Sequence, residues 1–291
     1  MADSKINISD QLKVKLRELA DRYEVASFTE EDPSQFLRWY RPEEGRGTVA
    51  DVEAASFIAA MLAFGSRKQF IPKIREILET SDRSLGSITE WLKQGKYTSD
   101  FPRGAAKFYR FYSYDDMQVF FGELADILKE AGSLGDFFHK KYIASPVVEC
   151  GEAAYRNHRL SRKCGFDTAP DEAYSTTRDL SSLISSSFPK SAIVPKGRTS
   201  ANKRIHMFLR WMVRRGSPVD LGIWDWADPA SLLIPLDVHV MQEAAKLGLI
   251  AEGAAASRKT AECLTAALAE VFPGDPCRGD FALFGLGVDV L

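Results

Sequence analysis

The sequence predicts an all-α protein, and three observations support that prediction. Apolar residues recur at helical spacing in several long segments. No segment sustains the alternation of apolar and polar residues that is typical of a half-buried strand, and β-hairpin turn signals are absent. The 291 residues, 45% hydrophobic and 27% charged, are enough for one large or two modest domains with a full core.

The first helices are predicted from periodicity and capping residues. Residues 8–23 form an amphipathic helix that Ser9 or Asp10 can cap. A short helix is expected around Phe36 to Tyr40. Residues 51–79 predict a helix, a break at Gly65 and a second helix whose N-terminus carries three polar side chains, Arg67, Lys68 and Gln69.

The middle of the chain adds further helices. Residues 116–130 are predicted to be helical, with Asp115 or Asp116 as the cap, and residues 133–142 form another short helix. Residues 145–180 are polar enough for a loop or short helices, and their pattern decides between neither.

Composition excludes several classes of protein. The net charge of -2 excludes a polycation, so a nucleic-acid surface requires local clustering of basic residues. The cysteines have no compact ligand spacing, so neither a metal site nor another cofactor is expected. Scattered thiols are typical of a reducing compartment. The four cysteines are Cys150, Cys164, Cys263 and Cys277.

No apolar run reaches the ~18 residues that a membrane-spanning helix needs. The N-terminal sequence MADSKINISDQLKVKL carries charges where a signal peptide has its apolar core. We therefore expect a cytoplasmic protein without a membrane partner. Nothing in the sequence indicates an oligomer.

The segment from Lys190 to Val219 carries eight basic residues and no acidic residue. Its first part is predicted to be a tight loop that enters a helix, with Thr199 or Ser200 as the N-cap. Cations near a helix N-terminus are unfavourable unless an anion binds there. The segment therefore predicts phosphate binding, with a solvated basic face as the alternative. The predicted DNA-binding residues here are Lys196, Gly197, Arg198 and Arg204.

A second segment, 231–249, ends an apolar run at Asp237 and then begins a helix. Asp237 is interpreted either as a plain N-cap or as a functional carboxylate in semi-apolar surroundings. His239 is interpreted as packed or hydrogen-bonded rather than catalytic.

Taken together, these segments resemble the helix–hairpin–helix DNA glycosylases, the superfamily of endonuclease III and the 8-oxoguanine glycosylases. KRIHMFL resembles the helix that carries the catalytic lysine, with Lys203 in that position, and LDVHV resembles the element that carries the essential aspartate, Asp237. DVEAASFIAAMLAFGSRKQF is similar to an early helix whose end faces DNA, which implies that Arg67, Lys68 and Gln69 lie near the substrate strand. The whole chain, including its ending DFALFGLG, also resembles a widespread family of uncharacterised bacterial proteins.

The match has three departures. The cysteine cluster of endonuclease III is absent. Val194 to Gly197 stands where the superfamily has an L-P-G-V-G hairpin. The segment between Lys203 and Asp237 is longer than in most members and more like that of the archaeal 8-oxoguanine branch.

The resemblance implies a two-lobed glycosylase-like fold in one unit, with approximate lobes 50–190 and 1–49 plus 191–291. It implies base excision from double-stranded DNA, without a cofactor. Asp237 would stabilise the positive charge that develops on the sugar, and Lys203 would form a Schiff base that permits AP-lyase chemistry. Base-pocket candidates are Trp224, Trp226 and His239, although the amphipathic preference of tryptophan favours a core position for the two tryptophans.

Two alternatives remain open on the sequence. A non-catalytic DNA- or RNA-binding protein on the same fold would use Lys203 and Asp237 only structurally. A protein-interaction scaffold has no specific sequence feature in its favour. Proximity of the two side chains in a shared basic cleft favours the enzyme, and their separation favours the binding protein.

Overall fold

The computed structural model describes residues 8–145 and 179–289. These residues are mostly helical, with one short β-hairpin, so the predicted all-α class is confirmed. The segment predicted without a clear pattern, 145–180, falls almost entirely outside the described residues. The described residues divide into a central unit, 27–144 and 180–196, and a terminal unit, 8–26, 145, 179 and 197–289.

The central unit contains seven described α-helices, short 3₁₀ helices and the hairpin. Its elements are α2 (Val49–Leu62), α3 (Arg67–Leu85), α4 (Ile88–Lys93), α5 (Tyr97–Asp100), β1 (Lys107–Tyr109), β2 (Tyr112–Ser113), α6 (Tyr114–Ala131), α7 (Leu134–Ala144) and α8 (Leu180–Ser186). The short helix expected around Phe36 is a 3₁₀ helix at Pro33–Arg38, which the Asp32 side chain caps.

Helix α2 lies at the centre of this unit because it is apolar on all sides. Its Phe57 ring stacks on Phe188 at a centroid distance of 4.9 Å and lies 6.0 Å from Phe120 of α6. The predicted break at Gly65 is confirmed. Gly65 has φ +82°, which favours glycine, and it separates α2 from the amphipathic α3.

The antiparallel hairpin of β1 and β2 was not predicted. Its strands of three and two residues are too short to show an alternating pattern. The turn residue with positive φ is Arg110, at 49°. A hairpin is recognised in a sequence by glycine or asparagine at such a position, and neither is present here. The hairpin therefore left no signature in the sequence.

The terminal unit contains α1 (Asp10–Tyr23), α9 (Lys203–Val213), α10 (Val238–Lys246), α11 (Arg258–Ala269) and α12 (Gly279–Asp289). Helix α12 packs against both α1 and α10. Leu16, Ala244 and Leu283 belong to the apolar core that these helices enclose. The chain therefore returns from its C-terminal part to pack on its N-terminal helix.

Of the predicted caps of α1 and α6, the first is confirmed and the second is wrong. Ser9 caps α1 by accepting from the Leu12 amide, as predicted. The cap of α6 is Ser113, not Asp115 or Asp116. Asp116 instead accepts from the Ser113 amide and hydroxyl, which completes a capping box one turn into the helix.

Within the described residues, no helix is long and apolar enough to cross a membrane. Among the described cysteines, Cys277 is a buried free thiol. Cys150 and Cys164 lie outside the described residues.

Candidate functional site

Lys203 and Asp237 lie together in the terminal unit, although 34 residues separate them in sequence. Lys203 is the first residue of α9, and Asp237 is the N-cap of α10. The Lys203 Nζ donates to Asp237 Oδ2 at 2.7 Å. Their side chains are 37% and 28% exposed, so a ligand can reach the pair from solvent.

The loop before α9 positions Lys203. The predicted caps Thr199 and Ser200 are wrong, because the helix begins after Asn202. Asn202 has φ +43° and makes no capping bond, and its side-chain amide donates instead to the Gly197 carbonyl at 2.9 Å. A tight loop closed in this way supports the first residue of the helix.

Both oxygens of Asp237 have defined partners. Oδ1 accepts from the Val240 amide at 2.9 Å, which is the N-cap interaction, and Oδ2 faces Lys203. Burial by itself would raise the pKa of Asp237, but the Lys203 charge and hydrogen bond and the Val240 amide hold that pKa below its ordinary value. The carboxylate is therefore ionised and fixed in orientation at neutral pH.

Asp280, in the first turn of α12, is a site residue that the sequence analysis missed. Its carboxylate accepts from Arg210 Nη1. Burial raises the pKa of Asp280 to about 6, against the effect of Arg210, and the negative charge of Asp237 adds to the rise. The only sequence signal was an acidic residue within the otherwise apolar ending DFALFGLG.

Two arginines further along the basic segment, Arg210 and Arg214, are buried, whereas Arg215 is exposed. Arg210 lies two turns after Lys203 on α9, and Arg214 follows the helix end. Arg214 contacts Glu24 at 2.8 Å and Asp275 at 2.7 Å and also binds Asp220. A solvated basic face therefore does not extend to Arg210 and Arg214, because acidic side chains pair with both of them.

The predicted phosphate-binding loop residues have different environments. Gly197, with φ +104°, and Arg198 are exposed. Arg204 is half-buried on α9. Lys196, in the central unit, donates to the Ser185 carbonyl at 3.2 Å and to the Phe188 carbonyl, and burial lowers its pKa. Its ammonium thus supports the end of α8.

The base-pocket candidates also differ. Trp224 is 1% exposed and meets the Phe208 ring edge-on at 5.3 Å, so it belongs to the core. Trp226 stacks on Trp224 at 5.2 Å and is half-buried. His239 is exposed in the first turn of α10 rather than packed, and its charge acts on Asp237.

Arg67, Lys68 and Gln69 are exposed in the first turn of α3, as the helix break predicts. They belong to the central unit, and Arg67 contacts Asp32 at 3.5 Å.

The described residues contain no cluster of His, Cys, Asp or Glu side chains able to hold a metal ion. The central unit has an open pocket of about 330 Å³ that contains none of the predicted site residues. It is lined by Glu76, Thr80, Asp100, Phe101, Pro102, Arg103, Gly104, Ala106 and Tyr114.

Comparison with known proteins gives a family without an activity. No curated protein and no solved structure matches the chain. The model of the family described as "Protein of unknown function (DUF2400)" matches residues 32–289. Because that match covers most of the sequence, the chain belongs to the DUF2400 family.

Proposed function

We propose that this protein is a DNA base-excision glycosylase that cleaves the N-glycosidic bond of a damaged base and has AP-lyase activity through Lys203. The proposal includes the two-lobed helix–hairpin–helix glycosylase-like fold. The single observation that carries it is the contact of 2.7 Å between Lys203 and Asp237, both accessible to solvent. A nucleophile and a carboxylate that can act as its base, within hydrogen-bond reach of each other, are what covalent catalysis requires.

Asp237 suits the stabilisation of a cationic sugar. Cleavage of the N-glycosidic bond builds positive charge at C1′, and a fixed carboxylate favours that charge. The Asp237 pKa is held below its ordinary value, so the carboxylate is charged before substrate arrives. Its hydrogen bond from Val240 holds the carboxylate in place, so little reorganisation is needed during the reaction.

Lys203 suits nucleophilic attack once its ammonium has released a proton. Asp237 Oδ2 is within 2.7 Å and is the acceptor that the geometry offers. The amine bonds to C1′ while the bond from C1′ to the base breaks. The base leaves with the proton that Asp237 accepted from Lys203, which restores the negative charge of the carboxylate. Opening of the sugar ring then transfers a proton to its oxygen and gives the Schiff base.

Borohydride trapping tests this proposal. The wild type is incubated with oligonucleotides that carry 8-oxoguanine, other damaged bases or an abasic site, and borohydride reduces any Schiff base to a stable adduct. We expect an adduct with the wild type and none with Lys203→Gln. Lys190 and Lys196 are the competing nucleophiles, so the adduct is mapped by mass spectrometry. An adduct on either of them would show that Lys203 is misassigned.

The matched control is Lys246→Gln. Lys246 and Glu243 form an ion pair in the same unit with the same separation of 2.7 Å, but Lys246 is 60% exposed. This variant removes an ion pair without touching the proposed site, so it should trap like the wild type. Excision without any adduct would indicate that Asp237 activates water and that the enzyme has no lyase step.

The alternative is a non-catalytic DNA- or RNA-binding protein. Its supporting observation is the hydrogen bond from the Val240 amide to Asp237, because an N-cap role explains that residue without catalysis. Absence of excision from every damaged oligonucleotide, with retained binding, would favour it.

A further inference from the structure

The β-hairpin of the central unit presents an aromatic ring to solvent at its tip, which we define as Arg110 and Phe111. Phe111 is 58% exposed. Arg110 has φ +49°, an unfavourable conformation for a residue with a side chain, and a sequence without function at this turn would favour glycine or asparagine.

The hairpin tip is fixed against the turn between α2 and α3. The Phe111 ring lies 5.3 Å from Phe64 and 4.5 Å from Tyr112. The Tyr109 hydroxyl donates to the Phe64 carbonyl, and Lys107 Nζ donates to the Phe111 carbonyl at 2.9 Å. The exposed ring is therefore held in one position, which reduces the entropy lost when it binds a partner.

Basic residues lie on the hairpin and follow the turn after α2, against which the tip packs. The Arg110 guanidinium lies 5.8 Å from the Phe64 ring and against Gly65, where an added Cβ would come within 2.3 Å of it. Arg67 and Lys68, two and three residues after Gly65, are exposed, as is Lys107. Asp32 contacts Arg67 at 3.5 Å, and Asp116 binds Ser113 in the capping box. The basic residues Arg67, Lys68, Lys107 and Arg110 therefore outnumber the acidic residues Asp32, Asp115 and Asp116.

We infer that the hairpin tip contacts DNA, with the Phe111 ring stacked on an unpaired base and Arg110 bound to the backbone beside it. An exposed aromatic side chain among cations matches a ligand that has both flat π-faces and phosphates. The inference rests on the proposed function only in taking DNA as the substrate. It assigns a contact to Arg110 and Phe111, which lie outside the predicted site.

Binding to labelled oligonucleotides tests this contact in the full-length protein. The probe is a duplex with one unpaired 2-aminopurine and no damaged base, and a fully paired duplex is the comparison. We expect Phe111→Ala to weaken binding of the first probe about 5- to 100-fold, since stacking on one base has that effect. The fluorescence quenching of 2-aminopurine seen with the wild type should disappear in this variant.

Ile143→Ala is the matched control, because Ile143 is also an apolar side chain with 58% exposure in the same unit. Its affinity should equal that of the wild type. Phe111→Leu keeps an apolar side chain without a π-face and should bind with intermediate affinity. Arg110→Ala should lower the salt dependence of binding by about one ion.

Equal affinities of wild type and Phe111→Ala would overturn the inference. Tighter binding of heparin or of phosphatidylserine vesicles than of DNA, lost in Phe111→Ala, would also overturn it and indicate a general anionic partner. Because this probe carries no damaged base, its binding can be measured whether or not the protein excises bases. An adduct at Lys203 with unchanged binding in Phe111→Ala would keep the proposed function and remove this contact.

Discussion

The two ends of α9 carry the same type of charge in opposite environments. Lys203, at the start of the helix, is 37% exposed and faces one carboxylate. Arg210 and Arg214, at the other end, are nearly inaccessible and face several carboxylates. One basic segment therefore contributes a reachable ion pair at one end and a buried charge cluster at the other.

The difference separates function from stability. A buried charge without its partner is strongly unfavourable, so the arginine cluster fixes the packing of the terminal unit. An accessible ion pair contributes little to stability, and its residues remain able to react or bind. Substitution of the buried arginines at the end of α9 should therefore lower mainly the stability of the protein. Substitution of the accessible pair at its start should lower mainly the activity.

The largest effect is expected from Arg214→Met. This change leaves the fully buried Asp220 with one fewer partner and removes the contacts to Glu24 and Asp275. The free energy of unfolding should fall by about 3–5 kcal/mol in urea denaturation followed by circular dichroism. Arg278→Met, at a side chain that is 33% exposed, should lower it by about 1 kcal/mol or less. Equal losses would contradict the proposed difference in burial.

Asp237→Asn should have the next largest effect, and on activity alone. Asparagine caps a helix as well as aspartate does, so the melting temperature should change little. Loss of the negative charge should slow base excision by about 10²- to 10³-fold in single-turnover assays. Retained excision in the folded variant would remove Asp237 from the mechanism and leave only its capping role.

The pH dependence of the free energy of unfolding should distinguish Asp280 from Asp237. The pKa of Asp280 is raised to about 6, above its ordinary value near 4, so between these values the folded state holds a proton that the unfolded state has lost. Stability should therefore fall by up to about 3 kcal/mol as the pH rises through this window.

The low pKa of Asp237 acts with the opposite sign. Its contribution to stability is present above the ordinary aspartate pKa and is lost as the pH falls through its folded value. Melting temperatures from pH 3 to pH 8 measure both effects. Asp280→Asn should remove the decline above about pH 4, and an unchanged decline would assign it to another group.

The smallest effect is expected from Lys203→Gln on stability. The ion pair with Asp237 is partly exposed, so its loss should lower the free energy of unfolding by about 1 kcal/mol or less. DNA affinity should also persist, because most phosphate contacts are expected elsewhere. A loss of several kcal/mol would show that Lys203 is structural, like Arg214.

Local patterns made much of the fold predictable. The helix at 8–23 with its Ser9 cap, the break at Gly65 and the helices at 116–130 and 133–142 all depend on residues close together in sequence. Periodicity and capping residues predict such elements because they reflect the local interactions that form a helix. The Asn202 cap was missed because its side chain binds the carbonyl of Gly197, which helix-start signals do not consider.

The sequence by itself determined the helical class and the basic character of the segment around α9. Only the tertiary structure decided which of its cations are accessible. Arg214 meets Glu24 from 190 residues earlier and Asp275 from 61 residues later, and Lys203 meets Asp237 across 34 residues. A charge is buried or exposed according to the partners that folding brings to it, and those partners lie far outside any local pattern.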